Sequence, residues 1–211
     1  MKRYSKSTIF TIVLLVILAS SADAQVGRGK FGFGVSASGN MLQSDWKTND
    51  PGFGASADIS YLMGENWGLL STLGFDTFNG KNSANQTVLS TAFHGKIALT
   101  YDFLRDKPLN PFVFAGGSVV FYNPRVDKGQ VLLSGANRPW EFCLNGGIGV
   151  DYFLNESWSV IVSGEAGYMI DDWLDGYGGP SNDIIQRVSV GVRYYLFDRS
   201  TVQRIVATST R

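Results

Sequence analysis

What this 211-residue chain lacks first is a long apolar run. Past Ala24 no stretch approaches the 18 or so apolar residues that mark a membrane-spanning helix. Cysteine is nearly absent too, and with Cys143 alone no intramolecular disulfide can form, although export would permit one. His94 is the single histidine, so any chemistry built on imidazole would have to recruit it. Net charge is also missing: the chain has 18 basic and 18 acidic residues, which argues against a nucleic-acid partner. Proline is sparse, while glycine and aromatic residues are plentiful. The length suits one domain and leaves no room for a second of ordinary size.

The amino terminus reads as a segment apart. Lys2, Arg3 and Lys6 form a basic start, Ile9 to Leu18 is apolar apart from Thr11, and Ala22-Asp23-Ala24 places small residues before Gln25. That three-part layout predicts a secretory signal peptide over residues 1–24. Taking Lys2, Arg3, Lys6 and Asp23 from the basic and acidic totals leaves 15 and 17, still close to neutral.

The rest of the chain alternates with a period of two. From Ile184, every second residue is Ile184, Gln186, Val188, Val190, Val192, Tyr194 and Leu196. The other parity is Ile185, Arg187, Ser189, Gly191, Arg193, Tyr195 and Phe197. Successive side chains of a strand point to opposite faces, so this run has one greasy face and one mostly polar face. Similar runs start near Phe31, Phe53, Trp67, Phe93, Phe112, Phe142 and Trp158, which makes eight strands. In the run from Phe112 to Tyr122 both parities are apolar and no face can be assigned. Connections near residues 64, 107 and 156 are short, and those over 40–51, 79–86, 123–139 and 170–182 are long and polar.

A membrane protein without apolar helices has to be a closed barrel, because every backbone group must pair within the structure. Short turns at one rim and long loops at the other fit such a barrel, with the long loops outside. A soluble ligand-binding barrel also alternates, with its apolar side inward. Here the polar face is mostly Gly and Ser, small enough for an eight-stranded interior. It also carries a mixed-sign set: Asp58, Asp76, Lys96, Asp102, Glu141, Asp151, Glu165, Arg187 and Arg193. Aromatics gather at strand ends, as at a membrane interface. The apolar face therefore looks at lipid, and the fold predicted is all-β: an eight-stranded antiparallel up-and-down transmembrane barrel over residues 25–197, followed by a short tail, residues 198–211.

Three stretches carry a family resemblance: Pro111 to Gly117, Gly146 to Leu154 and Ser189 to Phe197. They resemble the small eight-stranded outer-membrane barrels, the transmembrane domain of OmpA and the OmpX-like proteins, over roughly Gly27 to Phe197. The resemblance implies a place in the cell outer membrane, reached through a cleaved signal peptide. It also implies contact with outer-membrane lipid and with the barrel assembly machinery. The closing stretch is similar to the carboxy-terminal signal that this machinery reads, carried here by Ser189, Gly191, Tyr194, Leu196 and Phe197. The tail beyond Phe197 departs from members that end on the terminal aromatic. It is also too short for the peptidoglycan-binding domain of OmpA, which puts cell-wall anchoring in doubt.

Candidate chemistry is thin. Some small outer-membrane barrels modify lipid A, and those with a Ser–His pair present it on the lipid-facing or rim surface. His94 instead shares its parity with Lys96 and Asp102, facing the interior, so no catalytic residue is expected. Asp58, Lys96, Asp102, Glu141, Glu165, Arg187 and Arg193 are expected to form an interior salt-bridge network, since charges buried unpaired are costly. Residues 171–178 gather three carboxylates without the alternate-position spacing of a calcium loop, and no metal or cofactor is expected. Cys143 is expected to be inert packing. The leading expectation is a structural envelope protein whose loops mediate adhesion or partner binding. A narrow ion or small-solute channel is the alternative, and a lipid A-modifying enzyme the third.

Overall fold

A computed structural model of the protein describes residues 31–45, 47–63, 66–82, 85–105, 107–126, 130–131, 139–155, 157–171, 174 and 182–196. The expected signal peptide, Phe197 and the tail lie outside these residues. So do Asp172, Trp173, Asp175 and Tyr177 of the acidic loop.

Among the described residues there are ten strands. Eight are long: β1 (Phe31–Gln43), β3 (Gly52–Leu62), β4 (Trp67–Lys81), β5 (Thr87–Asp102), β6 (Leu109–Val126), β8 (Trp140–Phe153), β9 (Trp158–Met169) and β10 (Ile184–Leu196). Two are short, β2 (Thr48–Asp50) and β7 (Gln130–Val131), and pair onto the outer ends of β4 and β6. The eight long strands run antiparallel, each paired with its chain neighbours. The circle closes between the first strand and the last, with Phe31 opposite Leu196 and Gln43 opposite Ile184. Closure removes the open edges that would leave backbone N–H and C=O groups unpaired in hydrocarbon.

The alternation puts side chains where the sequence pattern expects them. Val188, Val190, Val192, Tyr194 and Leu196 point outward, while Arg187 and Arg193 point in and are buried. The fifth long strand, β6, now gains its faces. Phe112, Phe114, Ser118, Val120 and Tyr122 are inside, and Val113, Ala115 and Phe121 outside. Both of its parities are apolar because it lines apolar layers inside the barrel as well as the apolar outer wall.

Two rings of outward aromatics bound the apolar wall. Near the short turns Phe31 packs on Tyr61, Trp67 on Tyr101, and Trp158 on Tyr194, with ring centroids 4.8–5.0 Å apart. Near the opposite rim Phe75 packs on Phe93 and Trp140 on Phe142. On β8, Phe142 and Tyr152 mark the two rings ten residues apart. At ~3.3 Å per residue and a tilt of about 40°, that spans ~25 Å, the height of the apolar band of a membrane barrel.

The strands extend further than the polar loops suggest. Residues 40–51, 79–86 and 123–139 read as loops, yet β1 continues to Gln43, β4 to Lys81 and β6 to Val126. The β4–β5 connection shrinks to residues 82–86, tied by bonds from Asn82 N to Gln86 O and from Gln86 N to Asn82 Oδ1. The reason is an inversion of polarity above the outer aromatic ring. There Asn79, Thr91 and Arg125 face out, while Phe78, Val88 and Val126 face in. A strand leaving lipid for water keeps its pairing but reverses its pattern. At the crossover the Thr77 hydroxyl donates to Phe53 O and accepts from Phe53 N, bridging the point where β3 leaves β4 and β2 takes its place.

Candidate functional site

The lumen is filled in layers. At its middle Arg187 donates from Nη2 to Asp76 Oδ2 (2.6 Å) and from Nη1 to Glu165 Oε1 (2.8 Å). Lys96 Nζ pairs with Glu165 Oε2 from the opposite wall and lies 4.8 Å from the centre of the Phe114 ring. His94 Nδ1 stands 2.9 Å from Asp76 Oδ2. Asn40 Nδ2 donates to Asp76 Oδ1 and Asn145 Nδ2 to Glu165 Oε1. Two carboxylates thus face an arginine and a lysine, and neutral amides take up further oxygens. That arrangement meets the condition under which buried charges are tolerated.

Toward the short-turn rim a second cluster centres on Arg193. Its Nη2 lies 2.7 Å from Asp58 Oδ1 and its Nη1 3.6 Å from Asp151 Oδ2. Tyr195 OH donates to Asp151 Oδ2 at 2.7 Å, and the Tyr195 ring packs on Phe153 across the bottom of the barrel. Glycine makes room for these groups. A side chain at Gly34 would collide with the Asp58 carboxylate, and one at Gly54 with Asp76. Interior glycines here are space for charges, a requirement that alternation alone does not reveal.

Of the seven residues expected in an interior network, the structure joins Lys96, Glu165 and Arg187 in one cluster and Asp58 with Arg193 in another. Asp102 and Glu141 lie toward opposite ends, where Asn110 Nδ2 donates to Asp102 Oδ1 (2.7 Å) and Tyr122 OH to Glu141 Oε1 (3.1 Å). Asp76 and Asp151, noted only for their inward parity, supply oxygens to the two arginines. The signal they carried was the size of their inward neighbours: each lies near Gly or Ser positions that leave space. Of the closing stretch, Ser189 and Gly191 face the lumen, and Tyr194 and Leu196 face out.

Above the ions the lumen ends in an apolar cap. Leu42, Phe78, Val88, Val120, Met169, Leu174 and Ile185 pack together, and Ser90 Oγ holds the Leu174 carbonyl at 3.0 Å. Cys143 is buried in the same cap. Among the described residues the lumen holds a cavity of about 50 Å³ around the ion cluster and one of about 20 Å³ beside Arg193 and Asp151. Each has room for a water molecule or two. The His94–Asp76 pair could polarise a hydroxyl, but a 50 Å³ space admits no acyl substrate. Among the described residues, no group of His, Cys, Asp and Glu side chains is placed to hold a metal ion.

The model of the outer membrane protein beta-barrel domain family matches residues 10–195. No curated protein matches the sequence. Among solved structures, the chain is similar to Neisserial surface protein A at 16% identity and TM-score 0.56, covering 81% of this chain and 99% of that one. It is similar to OprG of Pseudomonas aeruginosa at 14% identity and TM-score 0.55, covering 83% and 100%. It is also similar to the attachment invasion locus protein of Yersinia pestis at 11% identity and TM-score 0.52, covering 80% and 99%. At these identities the likeness is one of fold.

Proposed function

This chain belongs to the outer membrane protein beta-barrel family, and from that premise we propose an integral envelope protein whose surface loops mediate adhesion or partner binding. The observation that carries this reading is the filled lumen. Among the described residues, an apolar cap lies over the ion cluster and the lumen cavities measure about 50 and 20 Å³, which supports a packed interior over a water-filled path. With the interior committed to packing, the surface left for function is the outer rim. There β2, β7 and the ends of β4, β5 and β6 rise above the aromatic ring, and Lys81, Arg125 and Lys47, just before β2, are exposed. One protein of similar fold is named an attachment invasion locus protein and was crystallised with a heparin analogue, sucrose octasulfate, which is consistent with an adhesive role for this architecture.

Planar-bilayer recording of the purified, refolded protein tests the reading. The expected result is an unbroken baseline, with adherence of expressing cells lost when the β6–β8 connection is shortened. Steady single-channel openings would favour the narrow-channel alternative instead.

A further inference from the structure

Two hollows on the lipid-facing wall share part of their lining. The lower one, about 940 Å³, lies over β1, β3, β4, β5 and β6, and the upper one, about 500 Å³, lies over β5 and β6. Both are lined by Phe93 and Phe121, which sit opposite each other on adjacent strands. The next rung below pairs Gly95 with Leu73 on one side and Val119 on the other. A Cβ at Gly95 would touch only Leu73 Cδ2, at 3.5 Å, so the glycine leaves an open notch and is not required by packing. Glycine inside a strand costs stability, and one recurring reason for it is the close approach of another molecule.

Above the two phenylalanines the wall turns polar. Thr91 and Asn123 form one rung, and Leu89 and Arg125 the next. Arg125 is exposed and makes no ion pair among the described residues. Lys81, also exposed, ends β4 one rung higher on the same face. The acidic Asp50 lies three strands from Arg125, opposite Asn79, ~14 Å away at normal strand spacing. Arg125 stands four residues above Phe121, ~13 Å along the strand and so ~10 Å higher at a tilt of about 40°, on the headgroup side of the outer aromatic ring.

We propose that this wall of β4, β5 and β6 is a binding site for one phosphorylated lipid of the outer leaflet. One acyl chain lies in the notch at Gly95, beneath Phe93 and Phe121, and a headgroup phosphate is held by Arg125 with Lys81 beside it. Charge complementarity selects the headgroup, because a guanidinium above an aromatic ring meets a phosphate in its fork geometry. The inference rests on the outer-membrane location and not on the adhesive role.

Native mass spectrometry of the detergent-solubilised protein, titrated with diphosphorylated lipid A, tests it. Wild type is expected to retain one lipid molecule. Arg125→Gln weakens retention about five-fold, the effect of one cation near an anionic surface. Gly95→Leu fills the notch and removes the one-to-one species, and Gly95→Ala acts in the same direction to a smaller extent. Gly146→Leu, at a lipid-facing glycine of β8 whose Cβ would meet only the Phe114 carbonyl at 3.9 Å, leaves retention unchanged. Heat-modifiable gel mobility establishes that each variant is folded. Retention by Gly95→Leu equal to wild type, or an equal loss in Gly146→Leu, overturns the site.

Discussion

Arg187 and Asp76, 111 residues apart in the chain, meet inside the barrel with Nη2 2.6 Å from Oδ2. The same guanidinium reaches Glu165 with its other terminal nitrogen. One residue of the closing strand therefore ties β4 to β9 through the lumen, in addition to its backbone pairing. Arg187→Met leaves Asp76 without its cation in a site where the arginine is only 8% exposed. The expected cost is about 3–5 kcal/mol, read as a lower urea midpoint for unfolding in lipid vesicles. Glu165 keeps Lys96, so adding Asp76→Asn restores charge balance and should recover more than half of that loss. A single variant as stable as wild type would remove the ion cluster from the account of stability.

The His94 side chain faces Asp76 inside this cluster, beside a lumen cavity of only about 50 Å³. His94→Ala is expected to leave the lipid A of the expressing cell unchanged by mass spectrometry. Because the change also removes a buried ring standing 2.9 Å from Asp76, it should lower stability by about 1–3 kcal/mol. A changed lipid A profile would return the enzyme alternative to first place.

Gly54 and Gly39 face opposite sides of the wall and should respond in opposite ways. A Cβ at Gly54 would stand 2.7 Å from Asn40 Nδ2 and 2.7 Å from the Phe75 carbonyl, beside Asp76. At Gly39 nothing lies within 4 Å. Gly54→Ala is therefore expected to reduce the yield of the heat-modifiable, folded form in refolding gels. Gly39→Ala should stay within about 0.5 kcal/mol of wild type. Equal yields from the two would mean that interior glycines are not needed as space for charge.

Much of this was legible in the sequence because a period of two carries the barrel's geometry. Val188 to Leu196 announces its lipid face, and Arg187 and Arg193 their inward one, without any distant contact being known. Strand ends were not legible. Above the aromatic ring Asn79 and Thr91 face water while Phe78 and Val88 face a packed cap, and a pattern that reverses mid-strand reads as a loop. The ion partners were legible as a set but not as pairs. Which carboxylate meets Arg187 depends on register and barrel tilt, and Asp76 reaches it across a gap that Gly54 leaves open.

The outer cap is the part of the lumen that resists water. Phe78 is fully buried between β4 and the segment carrying Leu174, also fully buried. Phe78→Ala is expected to cost about 3–5 kcal/mol, and Leu174→Ala about 2–5 kcal/mol, through the cavities they leave. Both should appear as lower urea midpoints with unchanged slopes. If Leu174→Ala costs nothing, Leu174 does not contribute to the cap in solution.

The direction of the two faces can be tested by moving one charge along the outer wall. Ile148 is 67% exposed and lies between Phe142 and Tyr152, which mark the two aromatic rings on β8. A lysine there sits near the middle of the hydrocarbon and should cost about 2–4 kcal/mol in vesicles. Thr91 is on the same outward parity of β5 but one rung above Phe93, so Thr91→Lys should cost about 0–1 kcal/mol. The same pair of substitutions in a water-soluble barrel with an apolar interior would both be neutral, since both sites would face solvent. A difference that depends on height along the wall, and vanishes in neither detergent nor short-chain lipid, requires an apolar band outside the barrel.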